Sequence, residues 1–123
     1  MRKLRFALSI LFVMATTLGA LAHAKMTASV PNDGATVPTG LTEIALNFSK
    51  PLRLTLVQVV RAPEQNEIPV TNELPKSFVK SAKLTIAPLP AGTYEVSWTA
   101  VADDGHVMKG SFKFSVSETQ PAP

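Results

Sequence analysis

An all-β fold, a Greek-key antiparallel sandwich or barrel of about seven strands, is predicted by three features of this 123-residue chain. All ten prolines lie beyond residue 30, and before Pro90 they recur too closely for a well-formed helix, since an internal proline costs about 3 kcal/mol. Where proline is absent, apolar residues alternate with polar ones at period two. Turn-forming clusters, Pro31-Asn32-Asp33-Gly34, Pro38-Thr39-Gly40 and Pro88-Leu89-Pro90-Ala91-Gly92, separate these runs.

The elements follow in order. Arg2, Lys3 and Arg5 precede an apolar run from Phe6 to Leu21, which Ala20, Ala22 and Ala24 close. This is the layout of a secretory signal, assigned to residues 1–22, with a β-domain over 23–117 and a frayed tail over 118–123. Two small-x-small sites overlap, so cleavage before His23 and cleavage before Lys25 are both open. About 16 apolar residues are short for a bilayer span of about 20, so no stable membrane insertion is expected after cleavage. Ile44, Leu46 and Phe48 mark one strand. Leu54 and Leu56, with Val57 and Val59, mark another, and Leu84 and Ile86 a third. The clearest strands carry Tyr94, Val96, Trp98 and Ala100, and then Phe112, Phe114 and Val116. Gly92-Thr93-Tyr94 fits a tyrosine corner, although one Tyr and one Trp also suit any small core.

Charge and cysteine narrow the function. The formal charge is +3, but three of the twelve cations belong to the signal and all nine acids lie beyond residue 30. The exported domain is therefore neutral, with no footprint for nucleic acid or an anionic membrane. With no cysteine there is neither a disulfide framework nor a thiolate ligand or nucleophile.

Two histidines remain. In the structural reading, Asp104-Gly105 makes a tight hairpin turn, His106 is an ordinary loop residue and His23 is part of a terminus. The functional reading takes both together. His23, as the first mature residue, offers its α-amine and Nδ1 in one chelate ring, and Asp104 and His106 add a carboxylate and an imidazole. Three nitrogens and one oxygen favour Cu(II), and without a thiolate the site holds the oxidised ion.

Tyr94 to Phe114 with its Asp104-Gly105-His106 core, the start His23-Ala24-Lys25-Met26, the turn near Pro31 and Gly34, and the Leu46-to-Ser49 strand together resemble the CopC family of periplasmic copper-resistance proteins, YobA-like members included. The resemblance spans nearly the whole mature chain. It implies a cupredoxin-like, Ig-like β-barrel in the periplasm that binds one Cu(II) through His23, Asp104 and His106. It further implies cleavage before His23, a monomeric copper carrier or sequestration protein without enzymatic activity, and an integral-membrane partner of the CopD type. Asp103 falls outside the ligand pattern. A methionine-rich Cu(I) loop of some members has no counterpart between Pro63 and Lys80, and Met26 and Met108 read as core fillers. Two other classes are a histidine-brace copper oxygenase and a metal-free Ig-like interaction module. The choice between copper and zinc, and among resistance, uptake and storage, stays open at this point.

Overall fold

One strand organises the molecule. The computed structural model describes residues 25–118, and the described residues form seven strands and no helix. These are β1 (Met26–Val30), β2 (Thr36–Pro38), β3 (Glu43–Arg61), β4 (Asn66–Ile68), β5 (Val79–Thr85), β6 (Gly92–Ala102) and β7 (Val107–Ser117). The first half of β3 pairs with β1 on one side and β5 on the other; its second half pairs with β6 and, near Arg61, with β4. The chain thus passes from one layer of the sandwich to the other, giving the order β1-β3-β6-β7-β2.

The sequence pattern divides this segment into two strands at Ser49-Lys50-Pro51, whereas the structure holds one strand of 19 residues. The physical reason is local. Pro51 has no N–H, and it lies between Asn47 and Leu52, where the ladder to β5 slips register. Backbone pairing is interrupted there while the chain stays extended. A second irregularity lies between Leu54 and Leu56, where two steps of β3 oppose one step of β6, from Ala100 to Thr99. Thr55 is the extra residue of this β-bulge, its Oγ1 donating to the Thr99 carbonyl at 3.2 Å. The bulge reverses which alternate residues face inward. Leu52 and Leu54 are buried before it, Leu56 is 51% exposed, and Val59 is buried after it.

The core is largely the set that alternation predicts, with Leu56 left out of it and Leu52 and Leu89 added. Ile44, Leu46, Phe48 and Leu84 pack against Tyr94, Val96, Trp98, Phe112, Phe114 and Val116. Phe48 meets Trp98 edge-on with centroids 5.1 Å apart, and Tyr94 stacks on Phe114 at 5.6 Å. Opposite Trp98 on β7 stands Gly110, where a Cβ would lie 2.5 Å from the indole. Only glycine lets the ring lie flat across the neighbouring strand.

One pair departs from the antiparallel expectation. β2 runs parallel to the end of β7, Thr36 opposite Ser115. It is anchored by the preceding turn, where Asp33 Oδ1 accepts the Lys113 N–H at 3.0 Å and Gly34 N–H donates to the Lys113 carbonyl at 2.7 Å.

The tyrosine corner is present. Tyr94 is fully buried, and its hydroxyl donates to the Pro90 carbonyl at 2.6 Å. Burial raises the phenol above its ordinary pKa, with Arg61 pulling the other way. Arg61 clamps the same loop, Nη2 donating to the Ala91 carbonyl at 2.6 Å. Tyr94→Phe is expected to lower unfolding free energy by about 1 kcal/mol, the net worth of one such bond, read from urea midpoints. An unchanged midpoint would show that the corner carries no energy.

Candidate metal centre

The β6–β7 hairpin is built by short-range rules. Val101 and Val107 form its last ladder pair. Gly105 N–H donates back to the Ala102 carbonyl at 2.9 Å, and Ala102 N–H donates to the His106 carbonyl at 2.9 Å. Gly105 has φ +89°, the left-handed conformation that ends a three-residue hairpin loop of Asp103, Asp104 and Gly105. The loop is thus one residue longer than a two-residue Asp-Gly turn, and the consequence is chemical. Asp104 sits two residues before His106 on one side of the bend. Its Oδ1 accepts the His106 backbone N–H at 3.0 Å, and its Oδ2 lies 2.7 Å from His106 Nδ1.

Those two contacts, the backbone one foremost, hold the Asp104 carboxyl below its ordinary pKa. A lowered carboxyl pKa stabilises the folded hairpin above the ordinary aspartate value, and that stabilisation disappears as pH falls through the lowered one. In a 13C titration of the side-chain carboxyl, Asp104 is expected to titrate below a free aspartate. His106→Ala should move it partway up, because the backbone contact persists. Identical curves would refute the pairing.

The other predicted residues fall as follows. His23 lies outside the described residues, as do the signal and nearly all of the tail. Asp103 is exposed in the loop. Met26 and Met108 are partly buried against the core, as fillers would be. Among the described residues, no three His, Cys, Asp or Glu side chains gather as a metal cluster, so a site at the hairpin needs a donor from elsewhere.

A ligand role for His23 demands that the first strand start beside the hairpin, and the strand register supplies that approach. Lys25, the residue before β1, is tied to Ser49: its N–H donates to Ser49 Oγ at 3.0 Å, and its carbonyl accepts the Ser49 N–H at 2.8 Å. Three residues further along β3, Leu52 pairs with Ala102, at the mouth of the hairpin. Extended chain rises about 3.3 Å per residue, so the entry to β1 and the Asp104-His106 loop lie about 10 Å apart along β3, at one end of the sandwich. No local pattern carries this placement, because it depends on β1 and β6 both pairing with β3.

A two-layer Greek-key β-domain with an Asp-Gly-His hairpin beside the entry of its first strand is the class that fold and geometry define. The chain belongs to the CopC family: the CopC domain model matches residues 26–117. It is 37% identical over 120 residues to protein YobA of Escherichia coli strain K12, covering 94% of this chain and 95% of that protein. It is 34% identical over 116 residues to copper resistance protein C of Escherichia coli, covering 85% and 89%. Among solved structures it matches PcoC, a methionine-rich copper resistance protein from Escherichia coli, with TM-score 0.65 and 30% identity over 78% of this chain and all of that one.

Proposed function

We propose that this protein is a periplasmic Cu(II) carrier that holds one ion between the His23 amine and imidazole, Asp104 and His106, and performs no reaction of its own. The observation that carries the reading is the 2.7 Å separation of Asp104 Oδ2 and His106 Nδ1. Two donors about 2.0 Å from one ion and at right angles lie about 2.8 Å apart, so this pair already has the span of a cis edge in a tetragonal set. For His106 Nδ1 to take an ion, the proton between the two atoms would move to Nε2, so the pair itself would lose no proton. The proton released would come from the His23 α-amine, and binding would weaken in acid as the donors protonate. Two further donors come from the terminus. From Lys25, two residues of chain reach about 7 Å, which suits His23 to closing the other half of the set.

The relatives support copper as the cargo, two of them being named copper resistance proteins. PcoC is described as methionine-rich, whereas this chain has four methionines, two of them in the signal. The nitrogen and oxygen donors therefore favour Cu(II) over Cu(I) as the form carried. We take the protein to work as a monomer and to exchange copper with an integral-membrane partner of the CopD type.

Trp98 is the only tryptophan and lies four residues before Ala102 on β6, about 13 Å along the strand. A chain beginning at His23 is expected to show quenching of Trp98 emission that saturates at one equivalent of Cu(II). Asp104→Ala and His106→Ala should each weaken binding at least about tenfold. Saturation at one equivalent with unchanged affinity in both variants would overturn the assignment of the hairpin.

A further inference from the structure

The outer face of the β3-β6-β7 layer changes character along its length. Far from the hairpin it is polar: Ser97 pairs with Ser111, and Glu95 lies opposite Lys113 with an ion pair at 3.7 Å. Beside the hairpin it is apolar. Val107, 63% exposed, is opposite Val101, and Val101 is opposite Arg53. In the next row the exposed Leu56 and Lys109 flank Thr99. Phe78, 44% exposed, extends the patch beneath Arg53, whose guanidinium carbon lies 5.8 Å from the ring centroid. Val107 follows His106 directly, so this surface abuts the candidate metal hairpin.

The charges differ as well. Lys113 in the polar half has its carboxylate, whereas among the described residues no carboxylate lies within ion-pair distance of Arg53 or Lys109. Exposed apolar side chains gathered on one sheet face mark a binding surface, and unneutralised cations at its rim select what binds. A second copy packed about a two-fold axis through this patch would bring two like cation-bearing surfaces together. Two cations draw a surface only weakly to an anionic bilayer. We propose that this face docks a protein partner whose contact patch is apolar at its centre and carries Asp or Glu where it meets Arg53 and Lys109, with the acidic hairpin at the margin of the contact. What passes between them, a copper ion, rests on the function proposed above; the docking itself does not.

The test uses the 15N-labelled chain without metal and three probes: a synthetic β-hairpin peptide with Leu, Ile and Phe on one face between Glu flanks, the same peptide with Lys for Glu, and vesicles of phosphatidylglycerol and phosphatidylcholine. The acidic peptide is expected to bind at least tenfold more tightly than the basic one. Its amide shifts should centre on Leu56, Thr99, Val101 and Val107. Leu56→Ser with Val107→Ser, two exposed sites that leave the core untouched, should abolish these shifts while Cu(II) titration stays as in the parent. Arg53→Glu with Lys109→Glu should reverse the peptide preference. Equal binding of both peptides, or shifts elsewhere, overturns the proposal. So does vesicle binding without peptide preference, which would assign the face to a bilayer, or concentration-dependent shifts of these residues in the protein alone, which would assign it to a second copy. Peptide docking in a chain that fails to bind Cu(II) would refute the carrier and uphold the surface; Cu(II) binding without docking would do the reverse.

Discussion

A chain with even one residue ahead of His23 will bind Cu(II) at least about a hundredfold more weakly than the chain that begins there, a loss of about 2.7 kcal/mol. Extension converts the α-amine to a peptide nitrogen, which is a poor donor near neutral pH, and opens the chelate ring it shares with the imidazole. Asp104 and His106 then remain as an exposed pair, without the multidentate support that tight holding requires. The fold should be indifferent to the same change, since β1 begins only at Met26. Urea midpoints of the two metal-free forms should therefore coincide while their Cu(II) titrations diverge. Coincident titrations would place the metal somewhere other than the terminus.

Phe114→Ala will lower unfolding free energy by about 3–5 kcal/mol, the usual cost of deleting a buried phenyl ring. Phe114 is 1% exposed, stacks on Tyr94 and lies 6.4 Å from the Phe112 ring. The cavity would open between β6 and β7, the two strands that carry the hairpin. For a domain of this size the loss approaches the whole margin of stability. Below the unfolding transition the variant should still bind Cu(II), because the hairpin is closed by its own backbone bonds and by Asp104. A loss under about 1 kcal/mol would mean that the aromatic stack is not the centre of the core.

Much of this architecture was legible from one dimension, and the gaps have physical causes. β6 and β7 bury one face each, so alternation from Tyr94 to Ala100 and from Phe112 to Val116 reported them directly. β3 reads as two strands in sequence because its apolar alternation breaks between Phe48 and Leu54, around Pro51, while the neighbouring strands keep it extended. The change of parity between Leu54 and Val59 was visible as an irregular apolar pattern, but only pairing with Ala100 and Thr99 shows that a bulge at Thr55 produces it. β2 has three residues and no pattern, and its parallel pairing to β7 follows from the Asp33 turn.

The candidate site divides in the same way. Asp104, Gly105 and His106 are neighbours in the chain, so their turn could be anticipated, although the hydrogen bonds that aim the carboxylate at the imidazole could not. The distance from that loop to the start of β1 is set by Ser49 and Leu52, which lie about fifty residues before the hairpin. Such a juxtaposition belongs to topology and has no signature in spacing.

The intact mass of the exported protein, taken with the electron paramagnetic resonance spectrum of the same sample carrying one equivalent of Cu(II), tests the central claim most directly. The expected result is a mass that begins at His23 and an axial, tetragonal spectrum with nitrogen hyperfine structure, lost when the terminus is acetylated. A mass that begins at Lys25, with the same spectrum, would contradict it.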